Sequence, residues 1–70
     1  MKDSLKALGD KIRAQRTKLA LTQENLAERC DFDRTYISLI ERGQRNPSFT
    51  NMLRLAKGLE VSISALTEGI

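Results

Sequence analysis

The chain has 70 residues (7.9 kDa), 40% of them apolar and 30% charged, so it is a single domain over residues 1–70, not a multi-domain enzyme. It has no histidine, no tryptophan and one cysteine, which removes the usual general base, the commonest metal ligand and any internal disulfide. A net charge of +3 leans toward a polyanionic partner, and a cytoplasmic location is expected because no stretch reads as a signal peptide or membrane span.

A chain this short buries only about 60% of the surface its unfolded form exposes, so added burial against a second copy is expected. Its sparse glycine, single proline (Pro47) and lack of sustained two-residue alternation point to an all-helical fold. Leu5, Leu8, Ile12 and Leu19 recur at helical spacing and predict an amphipathic first helix over about residues 4–19. Most of the basic excess lies here, with Lys2, Lys6, Lys11, Arg13, Arg16 and Lys18 against Asp3 and Asp10. A membrane-surface helix would look similar, but the rest of the chain supplies enough apolar surface to cover this face.

Three later helix starts share one grammar, in which a capping residue follows one apolar residue and precedes another by four positions. Leu21, Thr22 and Leu26 form the first such staple, Phe32, Asp33 and Ile37 the second, and Val61, Ser62 and Leu66 the third. Ser48, after Pro47, caps a further helix whose inner face is predicted to be Phe49, Met52, Leu55, Ala56 and Leu59. Five helices follow. The second and third, about 23–30 and 34–42, are separated only by Asp31, Phe32 and Asp33, so they must cross steeply, as in a helix-turn-helix. Ala27, Ile37 and Ile40 fill the crotch, and Asp31 falls where a left-handed turn residue is wanted.

The runs Leu21-Thr22-Gln23-Glu24-Asn25-Leu26-Ala27, Tyr36-Ile37-Ser38-Leu39-Ile40-Glu41-Arg42-Gly43 and Asn46-Pro47-Ser48 resemble the phage-repressor, Cro-like helix-turn-helix family. Ala56, Leu59, Val61 and Leu66 extend the likeness over nearly the whole chain. Within that family, Asp33-Arg34-Thr35-Tyr36-Ile37-Ser38 with Arg45-Asn46 looks most like the controller proteins of restriction-modification systems. The resemblance implies a compact five-helix, lambda-repressor-like DNA-binding domain with its motif at about residues 22–42. It further implies a homodimer on inverted-repeat operator DNA, acting in repression, activation or both. With no effector domain expected, any contact with RNA polymerase would come from this domain's own surface. Three positions depart from the family pattern: Ala20 and Asp31 stand where glycine is usual, and Gly58 replaces the usual alanine and is expected to loosen its helix by about 1 kcal/mol.

A recognition helix presents its outward stripe to base edges, here Arg34, Thr35, Ser38, Leu39 and Arg42. Arg34 can donate two hydrogen bonds to guanine, and Thr35 can meet a thymine methyl or a base acceptor. Leu39 either contacts thymine methyls or is an ordinary surface leucine. Tyr36 carries a hydroxyl for a phosphate, or lies across the helix as core cover. Gln23 opens the second helix, where free amides favour a phosphate. The resemblance adds Arg45 and Asn46 as loop residues at the DNA, and pairs Arg16 with Glu41 in a structural ion pair. Cys30 reads as a small buried apolar residue, with redox sensing as the alternative. Leu53, Ile63, Leu66 and Ile70 exceed what a small monomer comfortably buries and are expected at a dimer surface near the C-terminal end. The chain lacks a carboxylate cluster for magnesium and a glycine-rich phosphate loop, so no enzyme activity, metal or cofactor is expected. A protein-binding module of antitoxin or phage accessory type is the alternative, and a long additional tail would favour it.

Overall fold

The computed structural model describes residues 2–70, apart from the side chains of Lys2 and Asp3, whose charges lie outside the described part. It contains five helices: α1 (Lys2–Lys18), α2 (Gln23–Cys30), α3 (Arg34–Glu41), α4 (Phe49–Gly58) and α5 (Ile63–Thr67). No helix among the described residues is long and apolar enough to cross a membrane. Ile12, Leu26, Ile37, Ile40, Leu55 and Leu59 are wholly shielded from solvent, so α1 to α4 and the residue closing α4 all feed one core. Leu66 completes it from α5 at 2% exposure. The apolar stripe of α1 therefore faces protein: Leu8 and Ile12 are buried and Leu5 and Leu19 half-buried.

Three of the connections are built alike. At the end of α1, Leu21 N–H donates to Arg16 C=O at 3.0 Å and Ala20 N–H to Thr17 C=O at 2.9 Å, with Ala20 left-handed at φ 58°. This is the Schellman closure, which satisfies carbonyls that have run out of helical partners. The end of α2 repeats it through Asp31 and Phe32, and the end of α4 through Glu60 and Val61. In each case the apolar residue that closes one helix also opens the next as its staple, followed at once by the cap Thr22, Asp33 or Ser62. One apolar side chain thus serves two helix ends, which is why the connections are so short and the crossings so steep. The left-handed residue at Glu60 carried no sequence signal. At α3 the same closure uses Gly43.

Four expectations need correction. Asp33 occupies the cap position of α3, but its side chain accepts no capping hydrogen bond, whereas Thr22, Ser48 and Ser62 each accept one. Phe49 is 70% exposed, because α4 packs against α2 and α5 and its first turn projects beyond the core. Its buried stripe begins only at Met52. Leu66 lies in the domain's own core and is absent from the surface. Gly58 is no mere weak point, because a Cβ there would sit 2.6 Å from Cys30 Sγ.

Cys30 is buried, its thiol donates to Arg54 C=O at 3.4 Å, and burial pushes its pKa above the ordinary value despite the opposing fields of Arg54 and Arg29. That supports packing, since reactive cysteines need an accessible thiolate. The contact between α2 and α4 is consequently set by sulfur against bare backbone. Gly58→Ala should destabilise the native protein by about 1 kcal/mol or more through overpacking. In a Cys30→Ala background the same change should stabilise by about 1 kcal/mol, the ordinary helix preference for alanine. Urea titrations of the four proteins check this inversion of sign; equal effects in both backgrounds would refute the steric account.

Candidate nucleic-acid interface

Eight residues are too few for a helix that stands alone in water, so α3 depends on what packs behind it. Ile37, Ile40 and Glu41 form its buried face, against α1 and α2. The opposite side exposes Arg34, Thr35 and Arg42, with Ser38 and Leu39 half-buried between them. The structure therefore brings the expected stripe onto one outward face. Leu39 is half-buried, so the domain itself covers part of its side chain. Arg42 is the cap of α3 and bends back, Nε donating to Ser38 C=O at 3.3 Å.

Behind α3, Glu41 is the buried charged residue of the core, at 5% exposure. Arg16 of α1 grips it with Nε to Oε2 at 2.6 Å and Nη2 to Oε1 at 3.0 Å, while its Nη1 donates to Leu21 C=O at 2.8 Å. Gln23 of α2 adds a third bond, Nε2 to Oε1 at 3.1 Å. The Gln23 side-chain amide thus spends one N–H on α3 and keeps its second N–H for an outside acceptor. α2 also offers an anion its N-terminal backbone: Thr22 caps Asn25 N–H, leaving the first helical amides, those of Gln23 and Glu24, without an intrahelical acceptor. α1 approaches this node closely, since a Cβ at Gly9 would lie 2.5 Å from Ile40 O.

Tyr36 is half-buried and serves as core cover, its ring edge-on to Phe32 at 4.8 Å between centroids. Its hydroxyl accepts from Asn51 Nδ2 at 2.9 Å, so the hydroxyl hydrogen remains available to an outside acceptor. Arg45 lies 5.5 Å from the Tyr36 ring centroid, which places the loop after α3 beside its first turns. Asn46 instead lines a groove of about 180 Å³ with Leu5, Leu8, Thr67 and Ile70. Of the expected dimer residues outside the core, Leu53 is 49% exposed on α4, Ile63 is half-buried against the core, and Ile70 borders that groove. Asn51 and Arg54 hold aromatic residues around α3, and nothing in the sequence singled them out.

Side-chain exposures of 12% for Arg16 and 2% for Glu41 put this pair in the class where losing one partner strands a buried charge. Arg16→Ala should cost about 3–5 kcal/mol, against a total stability for a domain of this size of only about 4–10 kcal/mol. Replacing both partners together with leucine and methionine should recover most of that loss in thermal unfolding; no recovery would mean that the charges themselves, not their burial, hold the helices.

The helix-turn-helix family matches residues 12–66. The control protein C.MunI from Mycoplasma sp is 39% identical over 71 residues, covering 100% of this chain and 96% of that protein. The solved restriction-modification controller protein C.AhdI from Aeromonas hydrophila superposes with a TM-score of 0.87 at 42% identity, over 89% of this chain and 94% of that one. The controller protein C.Esp1396I, solved as a tetramer in complex with its natural 35 base-pair operator, gives 0.83 at 41% identity over 91% and 84%. With more than half of its length matched by the family and 89% of it superposed on a controller protein, the chain belongs to the helix-turn-helix family of transcriptional regulators.

Proposed function

We propose that this protein is a restriction-modification controller: a sequence-specific regulator that reads operator half-sites by laying α3 in the major groove. The observation that carries this is the division of α3 into a face locked to α1 and α2 and an outward face bearing Arg34, Thr35, Ser38, Leu39 and Arg42. Arg34 at the start of the helix reads guanine, Thr35 and Leu39 meet thymine methyls, and the α2 N-terminus with the Tyr36 hydroxyl holds phosphate. Arg45 and Asn46 extend the contact from the following loop. No step is chemical. The C.Esp1396I assembly on an operator supports an oligomer on DNA.

Size argues the same way. The domain measures 27 × 22 × 21 Å, less than the roughly 34 Å of one duplex turn, so half-sites one turn apart need two copies. We place the dimer contact on α4, where Phe49 and Leu53, four residues apart on one side of the helix, leave large apolar surface uncovered at 70% and 49% exposure. Ile63 is retained as a further partner.

Duplexes selected from a random pool should carry an inverted repeat. Binding to them should weaken with salt at a log-log slope of about −0.9 per phosphate contacted. Arg34→Ala should cost about 1–3 kcal/mol and relax preference at one base position. Gln23→Ala should weaken all duplexes alike, and the same uniform loss for both variants would overturn these roles. DNA binding that appears only once another protein is added would favour the protein-binding alternative.

Leu53→Glu should shift the protein to monomer in sedimentation equilibrium while its helical circular dichroism is retained. An unchanged dimer would move the contact off α4.

A further inference from the structure

A continuous run of packed side chains links the end of α2 to the loop after α3. Arg54 of α4 donates from Nε and Nη2 to Cys30 C=O at 3.0 and 2.7 Å, and from Nη2 to Asp31 C=O at 2.8 Å. These are carbonyls at the end of α2, where helical acceptors lack donors. So anchored, its guanidinium lies 4.2 Å from the Phe32 ring centroid. Phe32 meets Tyr36 edge-on at 4.8 Å with the planes 68° apart, and the Tyr36 ring carries Arg45 at 5.5 Å. Asn51 pins the Tyr36 hydroxyl from a second direction.

We propose that Phe32 and Arg54 are positioning residues for DNA reading: Arg54 fixes Phe32, Phe32 fixes Tyr36, and the Tyr36 ring preselects the conformation of Arg45 before the duplex arrives. The proposal rests on the regulator reading above. Arg45 is exposed in a loop, and among the described residues no carboxylate pairs with it. A long flexible side chain in that setting gives up rotamer freedom when it binds, and a ring already beneath its guanidinium reduces that loss. Arg54 thus acts on binding without touching DNA.

The test is a double-mutant cycle on the selected duplex and on a scrambled duplex of equal length. Phe32→Leu keeps the apolar staple of α3 but removes the ring; Arg54→Lys keeps the charge but loses the flat guanidinium and its fork. Each should weaken binding to the selected duplex about two- to fivefold, leave the scrambled duplex unaffected, and have no further effect in an Arg45→Ala background. Phe32→Tyr should restore binding. Equal loss on both duplexes, or the same loss without Arg45, overturns the proposal. A DNA-free reading guards against variants that fail to fold. In the unmodified protein the Arg45 side-chain protons should show a ring-current shift from Tyr36, and this should move toward the free-arginine value in Arg54→Lys. A shift that does not move overturns the proposal even where binding changes. Failure of the unmodified protein to distinguish the two duplexes would instead sink the regulator reading, and the ring-current result stands apart from it.

Discussion

The carboxylate of Glu41 is the point on which the arrangement of the first three helices turns. A buried carboxylate without partners is strongly unfavourable, and this one receives hydrogen bonds from Arg16 and Gln23, which sit on two other helices. Because each donor must reach the same two oxygens, α1, α2 and α3 cannot slide or rotate independently. Turning α3 by one residue, about 100°, would withdraw Glu41 from Arg16 and carry the outward stripe toward the core. The geometry of the pair thus ties the placement of the three helices to one another.

The shared turn explains how so small a core holds five helices. Leu21, Phe32 and Val61 each cover the end of one helix and the start of the next, so little chain is spent on connections. The cost lies in backbone strain: Ala20, Asp31 and Glu60 are left-handed without being glycine, at about 1 kcal/mol each. Two of the three carry exposed ion pairs, Asp31 at 3.8 Å from Arg54 and Glu60 at 3.0 Å from Arg29, which contribute little against that strain. Ala20 has no polar side chain to use in this way.

What could be read from the sequence follows from this architecture. Helix starts at Thr22, Ser48 and Ser62 were legible because cap and staple are local patterns, and the two faces of α3 were legible because helical periodicity sorts them. Properties set by neighbours distant in sequence were not. Phe49 has the spacing of a core residue, but the packing of α4 leaves its first turn outside. Leu66 has the composition of a dimer contact, but α5 folds it inward. Gly58 looked like a flaw until the thiol of Cys30 came to rest against it. Arg54 gave no signal at all, because its meaning lies in two carbonyls and a ring on other elements.

The division of α3 also bears on how such a reader can change its target. Ile37, Ile40 and Glu41 hold the helix, whereas Arg34, Thr35 and Arg42 face outward and contribute little to the core. Exposed substitutions away from packed or strained features usually move stability by less than about 0.5 kcal/mol, so the outward stripe can vary while the fold persists. Two further residues combine the two tasks. Gln23 sits at the mouth of α2 yet bonds the buried carboxylate, and Tyr36 presents a hydroxyl yet packs on Phe32. Under the proposed reading, a change at either would alter binding and helix placement together, leaving specificity freer to drift at Arg34 and Thr35 than at these two positions.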